Sequence, residues 1–206
     1  MAPTGVISGT DGKRRCSWCG EQPDYVVYHD EEWGFPVADD QTLFEKLCLE
    51  GFQAGLSWLT ILRKREAFRR AFAGFEIARV ARFGARDVAR LLDDPSIVRH
   101  RGKIEAAIGN ARRAAELIDE YGSLAAFIWR FEPDPKAQRS RRMGLPSVSP
   151  DASALSKELK KLGWSFVGPT TLYAFMQAMG LVNDHHDGCF VQARVERLRR
   201  EFRRPG

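Results

Sequence analysis

Apolar residues recur along this chain at the three-and-four spacing of helices, not at the alternation of strands. Leu43, Phe44, Leu47 and Cys48 share one face of a segment that Asp39 or Asp40 can cap. Trp58, Ile61, Leu62 and Phe68 define a second helix from about Ser57 to Phe72, and two short helices are predicted at 76–82 and 86–92, divided by Gly84. Ile104, Ile108, Ala111, Ala115 and Ile118 form a long stripe ending near Gly122, and Phe127, Ile128 and Trp129 close a short helix. After a loop region from Pro133 to Pro150, the Ser149-Pro150 pair supplies a cap and a first-turn proline for a helix carrying Leu155, Leu159 and Leu162. Val26-Val27-Tyr28 is the only short strand candidate. The pattern predicts an all-α fold.

At 206 residues, with 44% hydrophobic and 29% charged positions, the chain suits one globular domain with its own core. No stretch approaches the roughly 18 apolar residues of a membrane helix. The first residues lack the apolar core of a secretory signal, so a soluble, cytoplasmic protein with no membrane association is expected. The net charge of +5 is concentrated. Residues 190–206 hold six arginines against Glu196 and Glu201, a local +4 that leaves +1 for the rest. Val191, Val195, Leu198 and Phe202 make that tail an amphipathic basic helix. A second cluster, Lys136, Arg139, Arg141 and Arg142, suits a loop that touches phosphate.

Three constellations carry chemistry. Leu159 to Met176 reads as helix, tight glycine-containing hairpin and helix, centred on Phe166-Val167-Gly168-Pro169-Thr170. Backbone N–H groups at Val167 and Gly168, the start of the second helix and nearby Lys160 and Lys161 would favour a phosphate. Cys16 and His29 near one end, with His185-His186-Asp187-Gly188-Cys189 near the other, offer two thiolates and two imidazoles for a tetrahedral structural zinc. Within that pattern Cys19 competes with His29, and His186 with His185. The third is an aromatic and acidic cluster of Trp18, Tyr25, Tyr28, Trp33, Glu50 and Trp58, able to grip a flat cationic ring while a carboxylate accepts its N–H donors.

Arg15-Cys16-x-Trp18, Tyr28-His29-Asp30-x-Glu32-Trp33-Gly34, Leu49-Glu50-Gly51-x-Gln53-Ala54-Gly55-Leu56-Ser57-Trp58, Arg99-His100-Arg101-Gly102-Lys103-Ile104 with Asn110-Ala111, and Asn183-Asp184-His185-x-x-Gly188-Cys189 occur in order. Together they resemble the DNA-3-methyladenine glycosylase I family from about Arg14 to Cys189. The resemblance implies a helix-hairpin-helix fold with one zinc joining the terminal regions, held by Cys16, His29, His185 and Cys189, which makes Cys19 and His186 bystanders. It implies base recognition by Glu50, Tyr28 and Trp58, with Tyr25 and Trp33 nearby and Trp18 at the edge. Asn183 stands where the wider superfamily has a catalytic Asp, as in related single-function enzymes. The domain reading is a flexible tail at 1–14, a glycosylase domain at 15–189 and a basic extension at 190–206.

The implied reaction is excision of 3-methyladenine from alkylated double-stranded DNA by a monomer, through base flipping, leaving an abasic site and releasing the free base. A zinc-stapled module that recognises damage without cleavage predicts DNA affinity with no base release. A metallohydrolase with one donor withheld from the metal predicts rapid inactivation by chelator while the fold persists.

Overall fold

A computed structural model describes residues 5–134 and 147–206. Its first elements are two short antiparallel strands, β1 (Val6–Ser8) and β2 (Arg14–Cys16), paired with Val6 opposite Cys16. The helices are α1 (Pro23–Glu31), α2 (Asp40–Gln53), α3 (Trp58–Ala71), α4 (Ile77–Val80), α5 (Ala85–Asp93), α6 (Arg101–Tyr121), α7 (Leu124–Trp129), α8 (Pro150–Lys161), α9 (Pro169–Ala178) and α10 (Gln192–Glu201).

Helix α2 is the axis of the molecule. It packs against α3, α6, α7 and α9, and every residue from Leu43 to Phe52 is buried. The core around it is rich in phenylalanine: Phe44, Phe52, Phe68, Phe72 and Phe75 are all fully enclosed. The two aspartates at its start divide their work. Asp39 caps α2 through the Thr42 N–H, while the Asp40 carboxylate accepts from the Leu124 and Ala125 N–H groups and so caps α7. Gly122, in the left-handed conformation, ends α6.

Three expectations change. Val26-Val27-Tyr28 is helical, within α1, because Pro23 opens a turn whose residues pack on α3. Residues 5–14, assigned to a flexible tail, belong to the β-hairpin, where Asp11 accepts from the Arg15 guanidinium at 2.7 and 2.8 Å. The basic extension at 190–206 is helical over Gln192–Glu201, as its spacing predicts, and what changes is how much of it is buried. Val191 and Val195 are buried beside Cys16 and Cys189, and Arg199, expected among the exposed arginines, is 6% exposed. Its guanidinium donates to the carbonyls of Gly180 and Leu181 and to Glu132, satisfying a charge that burial would otherwise penalise. The basic cluster at Lys136, Arg139, Arg141 and Arg142 lies outside the described residues.

Candidate functional site

The hairpin between α8 and α9 is held from outside. Asn110 on α6 brackets Ser165, donating to its carbonyl and accepting from its N–H at 2.9 Å each. Ser156 donates to the Val167 carbonyl at 2.6 Å. Phe166, at the tip, sits at φ +57°, a conformation costly for a non-glycine residue, with its ring well exposed. Gly168 precedes the first turn of α9 with no side chain capping it, leaving early N–H groups of that helix open to an acceptor. The Val167 side chain is a core residue at 2% exposure, so a strand contact there falls to its backbone. Lys160 and Lys161 are exposed at the end of α8, the latter paired with Glu158 at 3.0 Å.

Four buried donors converge where the chain's ends meet. Cys16 leaves β2, His29 lies on α1, and His185 and Cys189 come from the turn before α10; their ligand atoms all lie within 4.8 Å of one another. Cys16 Sγ is 3.6 Å from His185 Nδ1, and Cys189 Sγ is 3.5 Å from His29 Nε2 and 3.6 Å from His185 Nδ1. Bonds of about 2.3 Å to sulfur and 2.0–2.1 Å to nitrogen at tetrahedral angles require separations of this size, so the donor set fits a metal ion. The far ring nitrogens are fixed as well. Asp30 faces His29 Nδ1 at 2.8 Å, and the Trp33 carbonyl faces His185 Nε2 at 2.9 Å, which turns the opposite nitrogen of each ring to the thiols. Asp30 in turn holds the Arg15 guanidinium through three contacts of 2.8–3.0 Å. Hydrogen bonding between the two sulfurs pushes the Cys189 thiol down and the Cys16 thiol up. Cys19 bonds toward the Gly20 carbonyl and stands outside the four, as does His186, whose backbone N–H donates to Cys16 Sγ.

Beside this cluster lies a cavity of about 260 Å³ lined by Trp18, Tyr25, Tyr28, Trp33, Glu50, Gln53, Trp58, Ala174 and Gln177. All six residues of the aromatic and acidic constellation therefore meet in one place. The walls are mutually braced: Trp18 lies 5.2 Å from Tyr25 and 4.8 Å from Trp33, centroid to centroid, and Tyr28 lies 5.4 Å from Trp58. Trp33 also packs edge-on against His185 at 4.6 Å, which links cavity to cluster. Among the described residues, the buried indole N–H groups of Trp18 and Trp58 have no hydrogen-bond partner. Burial pushes the Tyr25 hydroxyl up to about 12 and raises the Tyr28 hydroxyl well above the ordinary tyrosine value, so both remain protonated donors at neutral pH.

Glu50 is 5% exposed, one turn from Lys46 on α2, and the pair closes to 2.7 Å. Sequence reasoning passed over Lys46, although its spacing of four from Glu50 was visible. Gln53, within a quoted motif, was not given a role, and Gln177 comes from α9. Its amide donates to Asp184 at 2.9 Å, where the Tyr173 hydroxyl also donates at 2.6 Å. A second depression shares Glu50, Gln53 and Ala174 and runs to Gly55, Leu56, Thr170 and Thr171, joining the cavity to the start of α9.

Residues 18–192 match the family described as methyladenine glycosylase. The chain is 48% identical over 177 residues to DNA-3-methyladenine glycosylase 1 of Escherichia coli K12, covering 85% of this chain and 95% of that one. It is 46% identical to a DNA-3-methyladenine glycosylase of Haemophilus influenzae, covering 85% and 96%. Among solved structures it resembles a Tyr-to-Phe variant of 3-methyladenine DNA glycosylase I in complex with 3-methyladenine, with a TM-score of 0.79 and 37% identity over 86% of this chain and 97% of the other.

Proposed function

This chain belongs to the methyladenine glycosylase family, and we propose that it excises 3-methyladenine from alkylated double-stranded DNA with the base held against Glu50 in the aromatic cavity. It is a base-excision repair glycosylase. The observation that carries the assignment of the site is a buried carboxylate inside a cavity walled by Trp18, Tyr25, Tyr28, Trp33 and Trp58. That wall matches a flat, electron-poor ring, and the carboxylate matches its N–H donors.

A base within the stack is out of reach, so it must be turned out of the helix into the cavity. Methylation at N3 leaves the ring positively charged. When the C1′–N9 bond breaks, its electron pair passes to the base, which departs neutral, and the charge appears on the sugar. Water adds at C1′ and loses a proton, giving an abasic site and free 3-methyladenine. The leaving group needs no protonation, so Glu50 acts by accepting hydrogen bonds from the base edge and keeping it in place. Trp58 and Tyr28 supply stacking surfaces, with Tyr25, Trp33 and Trp18 completing the wall. The open N–H groups at the start of α9 and the backbone at Val167 and Gly168 hold strand phosphates, with Lys160 and Lys161 adding charge.

Cys16, His29, His185 and Cys189 hold one zinc ion in this reading. Four protein donors would leave no position for a reacting water, so the ion would serve structure, holding His185 behind Trp33 and tying His29 on α1 to the turn before α10. Two thiol ligands suit a reducing interior such as the cytoplasm; among the described residues no helix is long and apolar enough to cross a membrane. The protein acts as a monomer here, since a single chain contains both cavity and hairpin.

Release of 3-methyladenine from methylated duplex DNA, followed by chromatography of the freed base, tests the proposal. Glu50→Gln should slow single-turnover excision by about tenfold or more, because a charge-assisted hydrogen bond is worth ~1.5–3 kcal/mol. Undiminished excision by a folded Glu50→Gln protein refutes the role given to Glu50.

A further inference from the structure

Beneath the cavity floor, Lys46 is 5% exposed, a lysine with its whole side chain enclosed. Its ammonium has three hydrogens, and three acceptors surround it. Glu50 Oε1 lies at 2.7 Å, Tyr28 Oη at 2.9 Å, and the centroid of the Trp58 ring at 3.2 Å. Each is a group proposed above to hold the base. A second ion pair, Arg65 with Glu32, also acts on Lys46 from α3 and from the turn after α1. Burial holds the ammonium below the ordinary lysine range, and the nearby Glu50 carboxylate opposes that effect.

An ammonium only donates, and its neighbours' hydrogen-bond roles follow. Tyr28 Oη accepts from Lys46, so its own proton points away and is free to be donated elsewhere. Glu50, with Oε1 held by the ammonium, has Oε2 left to accept from a ligand. We propose that Lys46 is a positioning residue that sets the polarity of the base site, with Glu50 as fixed acceptor and Tyr28 as fixed donor. This rests on the reading of the cavity as the base site.

An adenine edge presents an amino donor beside a ring-nitrogen acceptor, the complement of that pair. A guanine edge presents a carbonyl acceptor in place of the amino group, which faces Glu50 with two acceptors opposed. Without the ammonium, a carboxyl enclosed among tryptophan and tyrosine rings has no countercharge in contact. Its oxygens also lose the donor that fixes their direction, so the group can turn. The Tyr28 hydroxyl, released from Lys46, can also turn. The site would still be a flat aromatic slot, but it would no longer distinguish the two edges.

The test measures affinity for free 3-methyladenine and free 3-methylguanine, by calorimetry, on four proteins: the wild type, Lys46→Met, Glu50→Gln and the double variant. Lys46→Met is expected to reduce the preference for 3-methyladenine by about tenfold, the weight of one charge-assisted hydrogen bond. In the Glu50→Gln background the same substitution should change that preference less, since only the effect through Tyr28 remains. An unchanged preference in folded Lys46→Met, or an equal change in both backgrounds, overturns the proposal. Lys46→Gln, which keeps N–H donors but no charge, is measured alongside and should show the same direction. The wild type gives a readout that needs no variant: the Lys46 ammonium NMR resonance should shift with 3-methyladenine more than with 3-methylguanine, and equal shifts overturn the idea. A wild type that releases no 3-methyladenine from methylated DNA would instead refute the base-site reading. Normal excision with an unchanged Lys46→Met preference refutes only the role of Lys46.

Discussion

Asp30 touches neither cavity nor thiol, yet it is expected to control how tightly the Cys and His cluster holds its metal. Its carboxylate meets His29 Nδ1 at 2.8 Å and the Arg15 guanidinium at 2.8–3.0 Å. Asp30→Ala removes the acceptor that keeps the His29 ring turned with Nε2 toward Cys189, and it withdraws the negative charge beside that ring. Arg15 keeps its two bonds to Asp11, so the hairpin retains its anchor. Loss of an outer partner of this kind typically weakens metal binding 10–100-fold, about 1.4–2.7 kcal/mol. Asp30→Asn, which preserves an oxygen acceptor but not the charge, should fall between that variant and the wild type. Competition for zinc against a chromophoric chelator at fixed pH gives the affinities directly, and Cys189→Ser marks the loss of a true ligand. Wild-type affinity in Asp30→Ala would refute the reasoning, as would a loss equal to that of Cys189→Ser.

Asn110→Ala should loosen the hairpin by removing both bonds to Ser165, lowering the melting midpoint by an amount equivalent to about 1–3 kcal/mol and weakening duplex binding in anisotropy titrations. Affinity for free 3-methyladenine should be unchanged, because Asn110 does not line the cavity. Truncation after Phe190 should lower both metal content and melting temperature, since it removes Val195 from the His185 side of the cluster and Arg199 from the Gly180 and Leu181 carbonyls. Retained metal and an unchanged melt, read by elemental analysis and calorimetry, would mean that α10 is only an appendage.

Helices α2, α3, α6 and α8 were legible because each buries a stripe at helical spacing and begins at Asp39, Ser57, His100 or Ser149, side chains that accept from the backbone three residues on. The clustered cysteines and histidines and the cavity residues were legible as residue types, and their convergence followed from the family resemblance. What escaped was tertiary in origin. The β-hairpin has three-residue strands too short for a period to register, and its order depends on Arg15 joining Asp11 to Asp30. Val26 and Val27 favour strand by composition, but the proline before them and the packing of α1 on α3 decide otherwise. Lys46 and Arg199 looked like solvated charges, since nothing local shows that carbonyls, carboxylates and rings will close around them.

The meeting of Cys16 with His185, 169 residues further along, also sets the order of events at synthesis. At about 5–20 residues per second, roughly 10–30 s separate the making of one ligand from the other. Through that interval α1, α2 and α3 can assemble, but Trp33 lacks the imidazole that backs it and the two early donors have no partners. Loop closure over such a span is slow relative to local helix formation, so joining of the ends is expected to follow assembly of the helices. An unfinished chain emerging from the ribosome therefore carries most of its aromatic wall without the brace that fixes it. The cavity is complete only once the last fifth of the protein, which supplies Ala174 and Gln177, is in place.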